Sequence, residues 1–485
     1  MKRRTAAPGE GENLKKSDRK GRMVFADPTH RRVFILAVIL AALALTILYL
    51  KLFYPTTLIE IRYKIFEARF SAVVIYNRVF LVLMILNFVK LFAYAVAAKK
   101  SRPRKSAKTP AVTAVIPAYN EEKTIADTVR SVLRSDYKKL DVIVVDDGSS
   151  DRTLEILHTE FSSDGRVTVL TQKNAGKSTA LNNGIAAAKG ELLLLLDADT
   201  DIAPDAVSLL AAHFDDPRTA AVSGNTRVGN VVSLITMFQR VEYIRDFNLI
   251  KNGMARFNAM AVVPGALGMW RSSAVRECGG FSTDTLGEDR DLTMALLKKG
   301  YKVGFEPAAF SETEAPHNLR NFMRQRFRWT YATLQCIRKY LSCAFNPAKK
   351  GLGLVLMPDL LVFQTVLPLV TTVGLIGNLF ALNLFELELI SVSYIVAVCT
   401  ELILFLLAKR VTREKIHAYD LLAVIPQRIV YGVVCTFLLF KAVLYAFLGV
   451  TVLWNKVERR GKAVRKEIPL PEKDKQESQP DKKGL

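Results

Sequence analysis

Two kinds of apolar run share this 485-residue chain, and they cannot be buried in the same way. Val33–Leu50 is uncharged and of membrane-spanning length, and Val79–Ala97 repeats the pattern, broken only by Lys90. Long apolar stretches return after Asn346-Pro347. Leu352–Leu382 holds one span, Leu389–Ala408 another and Ile429–Val450 the last. Pro358-Asp359 would sit badly at bilayer depth, so the first of these should open with a helix lying in the interface. Between the two sets, from Ala111 to about Thr330, apolar runs are short and alternate between the periods of strand and helix. A soluble domain set between membrane helices is the architecture this pattern allows.

Charge supports that division. The formal net charge is +22, a value expected either of a nucleic-acid binder or of basic flanks beside membrane segments. Here the excess gathers at the N-terminus, at Lys99–Lys108, at Lys409–Lys415 and after Lys456, each beside an apolar run. A nucleic-acid partner is therefore set aside. Lys99, Lys100, Arg102, Arg104, Lys105 and Lys108 place residues 98 onward in the cytoplasm. Ala42-Leu43-Ala44 resembles a signal-peptide cleavage site, but the charged segment before it is long and another span follows, which favours a retained anchor. The expected organisation is a disordered basic N-terminus (1–32), two transmembrane helices (33–98) and a cytoplasmic domain (110–346). An interfacial helix with about three spans (351–455) and a charged tail (456–485) follow. Five spans would put the basic tail outside, against the positive-inside tendency. The five cysteines include no C-x-x-C pair, so neither a zinc site nor a disulfide framework is indicated.

Within the central domain, strands are expected at Ala111–Pro117, Asp141–Asp147, Val167–Thr171 and Glu191–Asp197. Helices are expected at Glu121–Leu133, Asp151–Phe161 and Ser178–Lys189. Such an order implies a parallel α/β sheet, with ligands beyond the C-terminal strand ends. The chemically informative residues fall at those ends: Pro117–Glu122, Asp146–Ser150, Asn174–Ser178 and Asp197–Asp201.

Asp197-Ala198-Asp199 closes a run of five leucines. Two carboxylates at i, i+2 on a strand-to-loop turn suit Mg²⁺ or Mn²⁺ shared with a diphosphate, although a solvated turn has the same composition. Asp146-Asp147 ends a second strand, where a carboxylate can accept from a base N–H or a ribose hydroxyl, and Ser149 or Ser150 can cap the next helix. Asn174-Ala175-Gly176-Lys177-Ser178-Thr179 is no Walker loop, because its first glycine would have to be Thr171. Lys177 at a helix N-terminus still suits a phosphate, and equally a plain surface position. Glu288-Asp289 opens a helix; as N-terminal acids they would stabilise it by up to ~1 kcal/mol, and as a general base one of them could deprotonate a hydroxyl. Gln325, Arg328 and Trp329 share a helix face at i, i+3, i+4. They offer an amide, a guanidinium and an indole on which a sugar ring can stack; a basic, aromatic membrane-interface helix reads the same way.

Asp147, Asp197-Ala198-Asp199, Glu288-Asp289 and Gln325-x-x-Arg328-Trp329, in this order and between spans, resemble the processive family 2 glycosyltransferases, which make cellulose, hyaluronan, chitin oligosaccharides and poly-N-acetylglucosamine. Ser223-Gly224-Asn225-Thr226, Val263-Pro264-Gly265-Ala266 with Trp270-Arg271, and Gly279-Gly280-Phe281-Ser282 are similar to the poly-β-1,6-N-acetylglucosamine branch. The resemblance covers roughly Pro110 to Pro368. Tyr331-Ala332-Thr333 departs from it, standing where that branch has a glycine after the aromatic.

The resemblance implies an α/β GT-A domain inserted between transmembrane helices, using a UDP-sugar and a divalent cation. On that basis Asp289 would be the base. Pro117, Tyr119, Glu121, Asp147, Lys177, Asp197 and Arg328 would bind the nucleotide donor, with Asp147 at the uracil. Gln325, Trp329 and Glu288 would face the acceptor, and Asp199 the metal. The expected product is a growing β-linked polysaccharide, passed across the cell membrane, with membrane lipid around the spans and room for a small accessory subunit. Two rivals remain: a non-processive transferase adding one sugar to a lipid carrier, and a transporter or scaffold with a vestigial domain.

Overall fold

The computed structural model describes residues 67–100, 108–372, 384–412, 414–450 and 452. The chain divides into two units, residues 1–79 and 80–485. The described part of the first is the opening of α1 (Glu67–Ala97). The expected span at Val33–Leu50 and the charged tail lie outside the described residues.

The strands are β1 (Val112–Ala118), β2 (Leu140–Asp146), β3 (Val167–Thr171), β4 (Leu192–Leu195), β5 (Thr200–Ile202), β6 (Thr219–Val228), β7 (Gly268–Arg271) and β8 (Lys302–Thr313). They form one eight-stranded sheet among the described residues, in the order β3-β2-β1-β4-β7-β6-β8-β5. Helices α2 (Ile125–Leu133), α3 (Thr153–Phe161) and α4 (Lys177–Ala187) connect the first four strands. Strict alternation sorts the strand side chains onto two faces. Val115, Ile143, Val145, Leu193 and Leu195 enter one core. Ala114, Ile116, Val142, Val144, Leu192 and Leu194 enter the other. The five leucines are thus buried on both sides, as a central strand covered by helices requires.

The expectation of a parallel sheet holds for β3-β2-β1-β4 and for the β6-β8 pair. β7 runs antiparallel to β4 and β6, and β5 antiparallel to β8, so the sheet is mixed. Residue pattern identifies a strand but carries no direction; direction comes from the pairing partner, which lies far away in the chain.

Beyond the sheet lie α5 (Leu234–Arg245), which runs into a π-helical turn at Asp246–Lys251, α6 (Glu288–Lys299) and α7 (Leu319–Lys339). Two further helices, α8 (Leu384–Ala408) and α9 (Ala418–Phe447), follow. Phe238, Val241 and Ile244 of α5 pack with Leu404, Phe405, Ala423 and Val424 in a separate core. Ion pairs fasten the same helix: Arg245 to Glu401 at 2.5 Å and Arg240 to Asp420 at 3.1 Å.

Among the described residues, Val79–Ala97, Leu352–Thr372 and Ala418–Phe447 are long and apolar enough to cross a membrane. Pro358-Asp359, the reason an interfacial helix was expected, lies inside one helical run from Leu352 to Thr372, largely π-helical. The carboxylate that would be costly there is neutralised by the one charge in the second expected span: Lys90 Nζ meets Asp359 Oδ1 at 2.5 Å, with side-chain exposures of 16% and 4%. Removing one partner of a buried pair strands the other charge. Lys90→Met and Asp359→Leu should each lower the melting temperature in detergent, while the double substitution should recover most of the loss.

Candidate active site

β1, β2 and β4 end side by side, and their acids converge at one edge of the sheet. The cleft there has about 260 Å³ of empty volume and is lined by Lys177, Asp197, Val263, Gly265, Glu288 and Asp289, among others. Lys177, the first residue of α4, spans it. Its ammonium lies 2.6 Å from Asp197 Oδ1 and 3.2 Å from Glu288 Oε1. Burial works against the charged lysine, but Asp197, Glu288 and Asp289 outweigh it and hold the group above its ordinary value. Gly265 makes the close approach possible. A Cβ there would stand 2.8 Å from both Asp197 Oδ1 and Lys177 Nζ.

Asp147 sets the loop that delivers Lys177. Its Oδ1 accepts from Gln172 Nε2 at 2.7 Å and from Ala175 N–H at 2.8 Å, and its Oδ2 from Gly176 N–H at 2.9 Å. Gly148 beside it has φ +74°, and a Cβ there would lie 2.8 Å from Asn174 N. The β1 end is tied to the same turn: Asn120 N–H donates to Ser149 Oγ at 2.9 Å, and Glu121 N–H to Thr153 Oγ1 at 2.7 Å. Pro117, Tyr119 and Glu121 are half-buried along this edge. The Ser149 hydroxyl, expected as a possible helix cap, serves instead to join two strand ends.

Asp199 is buried, and its Oδ2 accepts from Thr313 Oγ1 at 3.0 Å. Among the described residues no three carboxylate, imidazole or thiol groups converge as a preformed metal cage. Asp197 and Asp199 still fit a hard cation of the Mg²⁺ or Mn²⁺ kind, which takes one or two carboxylates and completes its shell with substrate phosphates.

Asp289 is the second residue of α6. Burial, then the neighbouring Glu288 charge, pushes its carboxyl above the ordinary range, against the opposing pull of Lys177 and Arg290. The turn that carries it is fastened from α7 and just beyond. Leu286 N–H donates to Gln335 Oε1 at 2.9 Å, and the buried Asp291 accepts from Lys339 at 2.7 Å and from Tyr340 OH at 2.7 Å. A Cβ on Gly287 would stand 2.9 Å from Ala332 Cβ, so α7 sits directly on the turn.

The expected face of α7 is realised only in part. Trp329 is 36% exposed, Gln325 and Arg328 are half-buried, and the intervening Arg326 is the buried cation. Arg326 makes a bidentate pair with Glu242 of α5 at 2.5 and 2.6 Å. Gln325 Oε1 is buried without a hydrogen-bond partner among the described residues. The structure brings Lys177, Asp197, Glu288 and Asp289 together. It places Asp147 behind them and Gln325, Arg328 and Trp329 on the helix that braces the turn. Sequence reasoning gave no part to Gly265, Asp291, Arg326 or Glu242. Lys251 was missed as well, although burial takes its ammonium down to about 8 against the pull of Asp246 and Asp289.

A mixed sheet with acids gathered at the ends of its parallel strands fits a GT-A-like α/β fold. Residues 113–277 match the family described as Glycosyl transferase family 2. Over the catalytic region the chain is similar to poly-beta-1,6-N-acetyl-D-glucosamine synthases. That of Staphylococcus aureus (strain COL) is 34% identical over 219 residues, 45% of this chain and 53% of the relative. That of Staphylococcus epidermidis is 33% identical over 216 residues, 44% and 52%. The chain thus spans about half the length of the curated relatives it matches. Among solved structures, the mannosyltransferase PcManGT from Pyrobaculum calidifontis, in complex with GDP-Man and Mn²⁺, shares the fold. Its TM-score is 0.57 and its identity 19%, over 78% of this chain and 98% of that one.

The opposed influences on Asp289 can be separated. Glu288→Gln removes the charge that raises its proton affinity, so the titration should move down in pH. Lys177→Met removes a charge that lowers it, so the titration should move up. The carboxyl band in pH-difference infrared spectra of the two variants reads both directions.

Proposed function

We propose that this protein is a membrane-embedded, inverting glycosyltransferase that builds a β-linked polysaccharide from a UDP-sugar and passes it through its own spans. Poly-N-acetylglucosamine made from UDP-N-acetylglucosamine is the product the named relatives favour. The observation that carries the reading is the cleft in which Lys177 links Asp197 to the Glu288-Asp289 turn.

Asp289 takes the proton of the acceptor hydroxyl, whose oxygen attacks the anomeric carbon in line with the departing diphosphate. The raised proton affinity of Asp289 suits that task, since it makes the carboxylate a stronger base toward the hydroxyl proton. Lys177 and Arg328 neutralise the diphosphate, and Pro117, Tyr119, Glu121 and the Asp147 turn form the nucleoside end. A divalent cation held by Asp197 and Asp199 supplies further stabilisation of the leaving charge when bound. Trp329 stacks the terminal acceptor sugar, Gln325 hydrogen-bonds it, and Glu288 borders the same space. The catalytic domain faces the cytoplasm, between the spans that end at Val79–Ala97 and those from Leu352 onward.

Washed membranes fed UDP-N-acetylglucosamine and Mg²⁺ should release UDP and yield a long product cut by a β-1,6-hexosaminidase. Asp289→Asn should lower turnover about 10²–10⁴-fold while the protein stays folded; near-normal turnover would remove Asp289 as the base. A product of one added sugar on lipid would replace polymerisation with single transfer. An undigested polymer would keep the reaction and change the linkage.

A further inference from the structure

Arg326 is not among the residues given a part above, yet it is the most elaborately held cation on α7. Its guanidinium donates two parallel bonds to Glu242, at 2.5 and 2.6 Å, with side-chain exposures of 11% and 12%. The same planar group lies 4.7 Å from the Trp329 ring centroid, 4.9 Å from Phe322 and 5.6 Å from Tyr431. Positions 326 and 329 are neighbours one turn apart, so helix geometry alone brings the guanidinium to the indole.

We propose that Glu242 and Arg326 act as positioning residues that fix the Trp329 indole as a stacking platform for the end of the acceptor chain. The proposal rests on the assignment of Trp329 to the acceptor given above. A buried ion pair is a poor device for stability, because desolvation consumes most of the attraction. Geometry is what a bidentate pair supplies: two parallel bonds to Glu242 fix the plane of the Arg326 fork, and the guanidinium carbon lies 4.7 Å from the indole centroid. Glu242 has a second effect. A bare cation beside an indole would draw on the electron-rich face that the C–H groups of a sugar also seek, and the carboxylate offsets that charge. With Arg326 beside it, Trp329 still keeps 36% of its surface exposed, enough to present to a ligand. Glu242 belongs to α5, whose Arg240 and Arg245 are anchored to Asp420 and Glu401, so the platform is referenced to a fixed helix and not to a loop.

The test uses the full-length protein in lipid nanodiscs, with UDP-N-acetylglucosamine as donor and a soluble N-acetylglucosamine oligosaccharide as added acceptor. Glu242→Gln and Arg326→Lys should raise the KM for the oligosaccharide about three- to tenfold, the range a single cation–ring contact commands. The donor KM should stay within twofold of the parent. The ¹⁹F spectrum of 5-fluorotryptophan-labelled protein, with three indoles to report, should shift at Trp329 alone. The double variant Glu242→Leu with Arg326→Leu keeps the site packed without charge, and should fold normally while still showing the raised oligosaccharide KM. A wild-type oligosaccharide KM in that double variant, or donor and acceptor KM rising together in the single variants, would overturn the proposal. Trp329→Ala separates it from its premise. If that variant leaves the oligosaccharide KM unchanged, Trp329 is not the platform and the proposal falls with it. If it raises the KM while folded Glu242→Gln and Arg326→Lys do not, only the positioning role falls.

Discussion

The ammonium of Lys177 is the charge on which the cleft depends. Asp197, Glu288 and Asp289 come from the end of β4 and the start of α6, and without a cation among them the half-buried acids would repel one another. Lys177 closes that gap from α4, at 2.6 Å from Asp197 and 3.2 Å from Glu288. Asp147 makes this possible at one remove. It accepts three hydrogen bonds from residues 172–176 and so fixes where α4 begins. A carboxylate expected to meet a base therefore organises the loop that carries the lysine, and its turn is ordered from within.

The same economy appears on the other side of the cleft. The turn bearing Glu288 and Asp289 is held by Gln335, Lys339 and Tyr340, through Leu286 and Asp291, so its position is inherited from α7. α7 also carries Gln325, Arg328 and Trp329. One rigid helix thus sets both Asp289, proposed as the base, and the residues proposed for the acceptor, which would keep proton removal and acceptor placement in a fixed relation. α5 extends that relation outward. Its Glu242 grips α7, while Arg240 and Arg245 grip residues of α9 and α8. Movement of those apolar helices would be felt at Arg326 and its neighbour Trp329 through charged contacts, without passing through the sheet.

The strands and helices of the first half of the domain were legible because each obeys one strong rule. Val142–Val145 and Leu192–Leu196 are too apolar to be anything but central strands, and Ile125, Val129 and Val132 recur at helical spacing. The acids at the strand ends were legible too, since charge directly after a buried strand marks an edge open to solvent or ligand. Less of the second half could be read. β7 is only four residues long, and β6 and β8 pair with two register shifts, so neither length nor pattern announced them. The helix face of Gln325, Arg328 and Trp329 was correct in spacing, yet burial fell on Arg326, because α5 places Glu242 opposite that residue.

By itself the sequence determined the α/β character of the domain, the apolar runs beside it and the identity of the acids that gather at the cleft. These follow from local rules of periodicity, strand burial and charge placement that act within a few residues. Only the tertiary structure decided that β7 and β5 run antiparallel, that Lys90 meets Asp359, that Gly265 leaves room for Lys177 against Asp197, and that Glu242 meets Arg326. Each joins residues from separate elements, tens to hundreds of positions apart. Such a contact is fixed by how helices and strands pack, and no local pattern of residue types encodes it.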